Sequence, residues 1–342
     1  MKTKLVLIIL GCGLLVLVVL SVSLIYGVPS GKVSDNVWKR ATPVETEAEV
    51  LFYQDMNVDN THYNTTRIPA LVYHHDMFLA FAEGRKRTQS DSGKMDIILR
   101  RGRIKDWKVE WGPMEIIASQ SGYRLMDPTP IVDTEMDMIL LVFNAHPSNV
   151  TAWDELADEE ITTELQVIKS FDLGLTWTEP QEMNHAIQQI KPKSWLYGGA
   201  PGHGIQLKSG RLIMPGRFWS KVTDSEQMDF TNGSFPQSNV IYSDDHGNTW
   251  HPGGSLGYRE DTNGIAIFSG EATAVELDNE LCINARTLHP DQPRVLAFSN
   301  DEGASFGTPT LAWSLQEPGY YIRDPLKNYT YFLEDHSYWK IT

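Results

Sequence analysis

The sequence predicts an all-β fold of the β-propeller type, and two observations lead to this prediction. The first is that apolar runs of strand length, each bounded by Gly, Pro, Asp or Asn turn residues, recur at residues 70–73, 78–82, 97–99, 138–143, 165–168, 211–214 and 295–298. Many short strands of this kind indicate a sandwich, a barrel or a propeller. The second is an internal repeat, which favours the propeller. Helix signals are few, and residues 154–163 are the best candidate.

The repeat has the pattern Ser-x-Asp-x-Gly-x-Ser/Thr-aromatic and occurs at residues 170–177, 243–250 and 299–306. Its copies start 73 and 56 residues apart, close to one propeller blade plus insertions. The Asp can accept hydrogen bonds from turn amides, and the Gly tolerates a positive φ. The aromatic residues are then expected to enter the apolar space between sheets. Because the carboxylates are too sparse for a calcium site, we interpret the repeats as structural turns.

The composition argues against a nucleic-acid partner, because a phosphate backbone requires a surface rich in Lys and Arg. The chain has 342 residues and a formal net charge of −15. A small ligand held by a few local arginines remains compatible with this charge. The two cysteines, Cys12 and Cys282, predict no intradomain disulfide, and the adjacent His74 and His75 lack metal-ligand spacing. We therefore predict no metal and no cofactor.

The N-terminus predicts a membrane anchor. Lys2 and Lys4 precede an apolar run over residues 5–28, which is long enough to span a bilayer as a helix and longer than the core of a signal peptide. We favour an uncleaved signal-anchor over a long cleaved signal, with a linker over 29–44 and one domain over 45–342. Sequons for N-glycosylation begin at Asn64, Asn149, Asn232 and Asn328. The domain is therefore expected in a lumen or outside the cell, with the lysosome and the cell surface as candidates.

Charged residues stand at unusual places near the first strands. Arg67 precedes Ile-Pro at the start of an apolar strand, Glu83 and Arg85 end the next strand, and Asp91 follows in Gln-Ser-Asp-Ser-Gly. Taken singly, Arg67 would be a surface charge at a strand edge and Asp91 a solvated turn residue. Their order and spacing are what indicate a site.

A second group of charged residues lies further along the chain. Glu271 follows Ser-Gly before an apolar strand, and Arg286 ends the segment Leu-Cys-Ile-Asn-Ala-Arg. Each also has an ordinary structural interpretation, as a turn residue and as a charge at a strand end.

Together these motifs resemble those of the sialidase (neuraminidase) family. The resemblance is carried by Arg-Ile-Pro at 67–69, Ala-Phe-Ala-Glu-x-Arg at 80–85, Ser-Asp at 90–91, Leu-Arg-Arg at 99–101, and the motifs at 122–128, 200–206, 271–276 and 284–286. The three repeats match the Asp boxes of that family. The spacing around Asp91 is most similar to that of animal lysosomal-type members, and the resemblance covers residues 45–318.

The resemblance implies a six-bladed β-propeller with its site at one end of the central channel. It implies that Arg67 and Arg286 are two of three arginines that bind the carboxylate of sialic acid, a task that suits the planar guanidinium. It further implies that Glu83 orients Arg67 and that Arg85 binds elsewhere on the sugar ring.

The catalytic roles follow from the same resemblance. Asp91 would act as general acid and then base at the leaving oxygen, and Glu271 would polarise a nucleophilic tyrosine. A neutral phenol suits this reaction because the anomeric carbon of sialic acid bears a carboxylate, which would repel an anionic Asp or Glu.

The sequence departs from the family pattern in its C-terminal part. Only 36 residues follow Phe306, whereas the family pattern predicts two further blades with the third arginine and the nucleophilic tyrosine. A truncated isoform, an incomplete gene prediction or a decayed paralogue would each look like this. Arg217 and Trp219 stand where some animal members carry tyrosines. The candidates for the missing residues are Arg323, Tyr320, Tyr321, Tyr329, Tyr331 and Tyr338.

The predicted function is that of an exo-α-sialidase, which would release terminal sialic acid from glycoproteins, oligosaccharides or gangliosides with retention of configuration. The alternative is an inactive membrane protein that binds sialic acid. A third hypothesis, a propeller used only as a protein-binding scaffold, is disfavoured by the charged residues at 67, 91, 271 and 286.

Overall fold

The computed structural model describes most of residues 49–315 and four isolated two-residue strands outside that range. Within 49–315 the residues that lie outside the description are 107, 152–153, 156–161, 189–193, 200, 222–233, 258, 261–265, 279 and 288–291. The chain forms two compact units, one of residues 1–51 and 338–342, the other of residues 52–337.

The described secondary structure consists almost entirely of strands, which confirms the all-β prediction. In chain order the strands are β1 Ile8–Ile9, β2 Met56–Val58, β3 Thr61–Tyr63, β4 Thr65–His74, β5 Met77–Arg85, β6 Met95–Lys105, β7 Lys108–Ala118, β8 Tyr123–Asp133, β9 Met138–Pro147, β10 Glu164–Ser170, β11 Gln181–Glu182, β12 Ser194–Gly199, β13 Ile205–Gln206, β14 Leu212–Lys221, β15 Ser234–Ser243, β16 His251–Ser255, β17 Arg259–Glu260, β18 Ala266–Ile267, β19 Ser269–Leu277, β20 Glu280–Thr287, β21 Val295–Ser299, β22 Thr310–Leu311, β23 Ile322–Arg323, β24 Thr330–Tyr331 and β25 Lys340–Ile341. A short helix spans Asn184–Ile187.

In the smaller unit, β1 pairs antiparallel with β25. In the larger unit the strands form successive antiparallel groups of four, namely β4–β7, β8–β11, β12 with β14–β16, and β19–β22, while β13 is added beside β14. The first two groups join where β6 meets β8 in parallel at one residue pair, Met95 and Arg124. β4 also lies beside β8, and β19 lies beside β14 and β15. Successive groups therefore meet along their early strands.

Apolar side chains fill the space between neighbouring groups. Strand β9 is buried on both faces over Met138 to His146, which explains why its sequence is a continuous apolar run rather than an alternation. The aromatic residue of each repeat packs into a different cluster. Trp177 packs beside Phe81 and Leu141, Trp250 beside Leu140 and Met214, and Phe306 beside Val240 and Ile283. The aromatic residue of each repeat therefore packs between its own group of strands and the preceding group, as the sequence predicted.

The three repeats close by the same hydrogen bonds. In the second copy, the Gly247 amide donates to Ser243 Oγ at 2.8 Å, and Ser243 Oγ donates to Asp245 Oδ1 at 2.8 Å. The Thr249 amide and hydroxyl donate to the Asp245 carboxylate at 2.8 and 2.6 Å. The glycine φ angles are 77°, 72° and 85° in the three copies. At Gly247 the positive φ favours glycine, and an added Cβ would also crowd the end of the Leu140 side chain, which would have to shift.

Several sequence predictions concern residues that the structure describes only in part or not at all. Of the helix predicted over 154–163, Asp154 and Glu155 are helical, 156–161 lie outside, and Thr162 and Thr163 are not helical. Of the predicted anchor, only β1 is among the described residues, and the predicted linker and Cys12 lie wholly outside them. Among the described residues, no helix has the length and apolar character needed to cross a membrane. The anchor therefore stays a prediction.

Candidate active site

The first half of the site lies where β4 begins and β5 ends. The antiparallel register places Arg67 opposite Glu83, and Thr65 opposite Arg85. The register shifts between Arg67 and Ala70, and within this bulge Ile68 has a φ of 52°. A positive φ at a β-branched residue is strained, and bulges commonly re-aim a side chain beside a functional site. The Arg-Ile-Pro motif thus coincides with a β-bulge in a buried strand.

Two guanidinium groups hold the loop that carries Asp91. Arg85 Nη2 donates to Asp91 Oδ1 at 2.8 Å, and Arg67 Nη1 donates to the same oxygen at 3.1 Å. Both arginines also donate to the carbonyl of Gln89. The Asp91 side chain is 65% exposed, whereas those of Arg67 and Arg85 are 14% and 1% exposed. The carboxylate is therefore open to a ligand but fixed in position from beneath.

Glu83 is the buried carboxylate behind these arginines. Its Oε2 accepts hydrogen bonds from Arg85 Nε at 2.9 Å and Nη2 at 2.5 Å, and its Oε1 accepts one from the Asp127 amide at 2.9 Å. Burial raises the pKa of Glu83 to about 7 against the opposing charge of Arg85, and the carboxylates of Asp127 and Asp91 act in the same direction as burial. The site therefore holds a carboxylate whose ionisation is finely balanced near neutral pH.

The second half of the site is a chain of alternating charges across three sheets. Arg286 Nη1 on β20 lies 3.2 Å from Glu271 Oε2 on β19, and Arg217 Nη1 on β14 lies 3.3 Å from Glu271 Oε1. Arg217 Nη2 reaches Asp127 Oδ2 on β8 at 3.5 Å, and that oxygen also accepts a hydrogen bond from Asn144 Nδ2 at 3.0 Å. A single guanidinium, that of Arg217, therefore connects two carboxylates from different sheets.

Burial and neighbouring charges act in opposition within this chain of charges. Burial raises the pKa of Asp127, and the charge of Arg217 opposes that shift. Burial lowers the pKa of Arg217, but Asp127 and Glu271 outweigh it, so that the net shift is upward and the guanidinium stays charged. The charge of Asp91 contributes to the shifts of both groups, which places the first half of the site within electrostatic reach of the second.

Bulges recur at the site. The register of β8 against β9 shifts between Met126 and Thr129, beside Asp127, and that of β19 against β20 shifts between Ser269 and Ala272, beside Glu271. Together with the bulge after Arg67, three strands from different four-stranded groups are irregular where they present a charged side chain. This recurrence indicates one functional region rather than separate surface features.

The structure brings all six sequence-predicted residues into this region. Arg67, Glu83, Arg85 and Asp91 form the first half, and Glu271 and Arg286 belong to the second. Glu83 was expected to orient Arg67. The two residues are paired across β4 and β5, and the hydrogen bonds of Glu83 described above go to Arg85 and Asp127. Of the candidates for the third arginine and the tyrosine, Arg323 and Tyr331 lie in β23 and β24, and the others lie outside the described residues.

Sequence reasoning missed the two residues that join the halves. Asp127 lies inside the family-like motif at 122–128, but nothing in the motif assigned it a role. Arg217 appeared only as a departure from the family pattern. Arg217 could have been found in the same way as Arg67, since each is a charged residue within an apolar strand.

Comparison with known proteins defines the class of this protein first. Residues 76–320 match the family described as a BNR repeat-like domain. Solved structures with a similar fold include the Hadza microbial sialidase Hz136, with a TM-score of 0.58 and 24% identity, covering 77% of this chain and 49% of that one. Another is Trypanosoma rangeli sialidase in complex with 2,3-difluorosialic acid as a covalent intermediate, with a TM-score of 0.58, 18% identity, and coverage of 77% and 42%. The fold is therefore of the sialidase type.

The curated relatives are more specific. Mouse Sialidase-3 is 33% identical over 264 residues, which cover 74% of this chain and 60% of the relative. Mouse Sialidase-4 is 34% identical over 258 residues, which cover 72% and 52%. The chain belongs to the sialidase family. It spans about half to three fifths of the length of these relatives.

Proposed function

We propose that this chain carries the site of an exo-α-sialidase, which hydrolyses terminal sialic acid from glycoproteins, oligosaccharides or gangliosides. The observation that carries the proposal is the continuity of the site: an exposed, arginine-held Asp91 shares one electrostatic region with Glu271 and Arg286. Guanidinium groups on both sides suit a substrate that bears a carboxylate. The names of the relatives support the same substrate.

In this proposal Arg67 and Arg286 bind the substrate carboxylate. Arg85, which the resemblance assigns to another part of the sugar ring, is 1% exposed and instead holds both Asp91 and Glu83 in place. Asp91 donates a proton to the leaving oxygen and later accepts one from water. Glu271 takes the proton of a tyrosine as the phenol oxygen attacks the anomeric carbon.

We also propose that the reaction retains configuration through a covalent tyrosyl intermediate, which would be a departure from the usual two-carboxylate arrangement. The covalent intermediate named for the Trypanosoma rangeli enzyme supports this course. The four groups of four strands would then be four of six propeller blades, and the residues over 5–28 would anchor the domain to a membrane as a single-pass protein in the lysosome or at the cell surface.

The test of the proposed function is turnover of an aryl sialoside by the full chain, measured beside equilibrium binding of sialic acid. Asp91→Ala and Glu271→Ala should lose turnover, while Arg67→Ala should mainly lose binding, because its guanidinium meets a carboxylate that is present throughout the reaction. An activated aryl leaving group needs less protonation, so it should partly rescue Asp91→Ala but not Glu271→Ala.

Asp244→Ala is the matched control, because Asp244 is an exposed carboxylate in the second repeat that pairs with Arg211 and is not one of the site residues. It should turn over substrate at the wild-type rate. A folded wild-type chain that binds sialic acid without turnover at any pH would overturn the enzyme proposal and support the inactive binding protein instead.

The anchor is tested separately by alkaline carbonate extraction of membranes that contain the full chain. Retention in the pellet is expected from the length of the apolar run. Release of the intact protein into the supernatant would contradict it.

A further inference from the structure

Two hairpin turns, far along the strands from the candidate active site, bring together three side chains that can bind a metal. His74 ends β4, His75 lies in the turn to β5, and Asp137 lies in the turn between β8 and β9. Arg67 and His74 are seven positions apart on the same strand, a separation of about 20 Å along an extended chain. The cluster is therefore distinct from the active-site residues.

The three side chains converge on one point. His74 Nε2 lies 2.6 Å and His75 Nε2 lies 2.7 Å from the same atom, Asp137 Oδ1. The two imidazole rings lie 4.0 Å apart between centroids. His74 is buried, and the other two side chains are exposed at 60% and 66%. Two neighbouring histidines that aim the same nitrogen at a single oxygen lose rotamer freedom, and a shared ligand would compensate for that loss.

The distances suit a small cation after a modest adjustment. Donor atoms around a tetrahedral zinc ion stand about 3.3 Å apart, since each lies about 2.0–2.2 Å from the ion. The nitrogens and the carboxylate oxygen already lie within 4.8 Å of one another. The exposed side chains of His75 and Asp137 can move outward by the remaining fraction of an ångström, while the buried His74 fixes the position of the site.

The donor set selects the kind of metal. Two imidazoles and one carboxylate suit zinc and its divalent transition-metal neighbours, whereas calcium and magnesium prefer oxygen ligands throughout. With three protein ligands, a fourth position would be filled by water.

We propose that His74, His75 and Asp137 bind one divalent transition-metal ion of the zinc type. The ion would join the first group of four strands to the second, since the histidines belong to the β4–β5 hairpin and Asp137 to the β8–β9 hairpin. Its consequence is structural: it would stabilise the contact between these two groups of strands without entering the chemistry at Asp91. Sequence analysis missed the site because Asp137 lies 62 residues beyond His75.

The test is a titration of the full, tag-free chain with Co²⁺, followed by its visible absorption, and with Zn²⁺, followed by calorimetry. We expect one equivalent to bind to the wild-type protein. His75→Ala and Asp137→Asn should each weaken binding on the order of 10- to 100-fold, and Zn²⁺ should raise the melting temperature of the wild type but not of these variants. Both substituted positions are exposed, so the variants should fold.

His62→Ala is the matched control, because His62 is an exposed histidine that pairs with Asp55 at 3.3 Å and lies outside the cluster of His74, His75 and Asp137. It should bind Co²⁺ as the wild type does. Equal loss in the control and the site variants, or a wild type that binds no Co²⁺ at one equivalent, would overturn the proposal. Neither result depends on sialidase activity.

Discussion

Two buried glutamates in this protein, Glu83 and Glu155, respond to burial in opposite ways. Glu83 is 0% exposed and Glu155 is 2% exposed. Burial raises the pKa of Glu83 to about 7. At Glu155 burial also acts upward, but hydrogen bonds from His146, Thr163 and Thr162 outweigh it and lower the pKa to about 2.

The difference lies in what surrounds each carboxylate. Glu155 Oε1 accepts hydrogen bonds from the amides of Thr162 and Thr163 at 2.7 and 2.6 Å, and both hydroxyls also donate to the carboxylate at 2.7 Å. The charge of Arg85 opposes the effect of burial on Glu83, but Glu83 shares its surroundings with the carboxylates of Asp91 and Asp127. Hydrogen bonds from His146, Thr163 and Thr162 therefore keep Glu155 ionised despite its burial, whereas burial, together with the like charges of Asp127 and Asp91, leaves Glu83 close to its titration point, as is common in functional sites.

The largest effect should come from removing the loop-closing carboxylate. Glu155→Ala leaves two amides, of which that of Thr163 is buried, and two hydroxyls without their acceptor, so the free energy of unfolding should fall by about 3 kcal/mol. Urea unfolding followed by circular dichroism measures this loss. Glu182→Ala, at an exposed position of an edge strand, is the control and should change stability little. A loss at Glu155 no larger than that of the control would remove the distinction between the two glutamates.

The second prediction concerns the pH dependence of stability through Glu83. Its pKa is about 7 in the folded state and about 4.5 in the unfolded state, so the folded state binds the proton more tightly. The stabilisation is complete below pH 4.5 and is lost as the pH rises to 7. The unfolding free energy of the wild type minus that of Glu83→Gln should therefore fall by on the order of 1–3 kcal/mol across this window. Thermal melts at intervals of pH measure it, and a constant difference would contradict the upward shift.

The smallest effect should appear at Thr163, in the opposite pH window. Thr163→Val removes one hydrogen bond to Glu155 and one to His146, and should cost about 1 kcal/mol at pH 7. Because the folded-state pKa of Glu155 is depressed, the stabilisation exists above pH 4.5 and is lost as the pH falls towards 2. The difference between wild type and variant should accordingly narrow on acidification. If it widens instead, the threonine does not act through the carboxylate.

The contrast between the two glutamates also shows which features of the fold and of the candidate site could be predicted from the sequence. The strands, the three turns and the candidates for the site could be read from the sequence, because apolar runs, the repeat pattern and the family-like motifs are local signals; the roles of the six candidates stay predictions. The roles of Asp127 and Arg217 could not be read from it, since each depends on a partner from a different sheet. Glu155 lay in a predicted helix, and its acceptor role depends on Thr162 and Thr163 returning to it at close range. Pairings of this kind are set by register and bulges, which no local pattern specifies.

The repeated turns have a consequence for how the chain folds. Each turn closes its hydrogen bonds within eight residues, so the entropic cost of closing it is small and no distant segment is needed. The charged network, in contrast, joins residues such as Asp127 and Arg217 that are separated by long stretches of chain. Local contacts form early and distant ones late. We therefore expect the three turns to form before Arg217 pairs with Asp127 and Glu271 in the candidate active site.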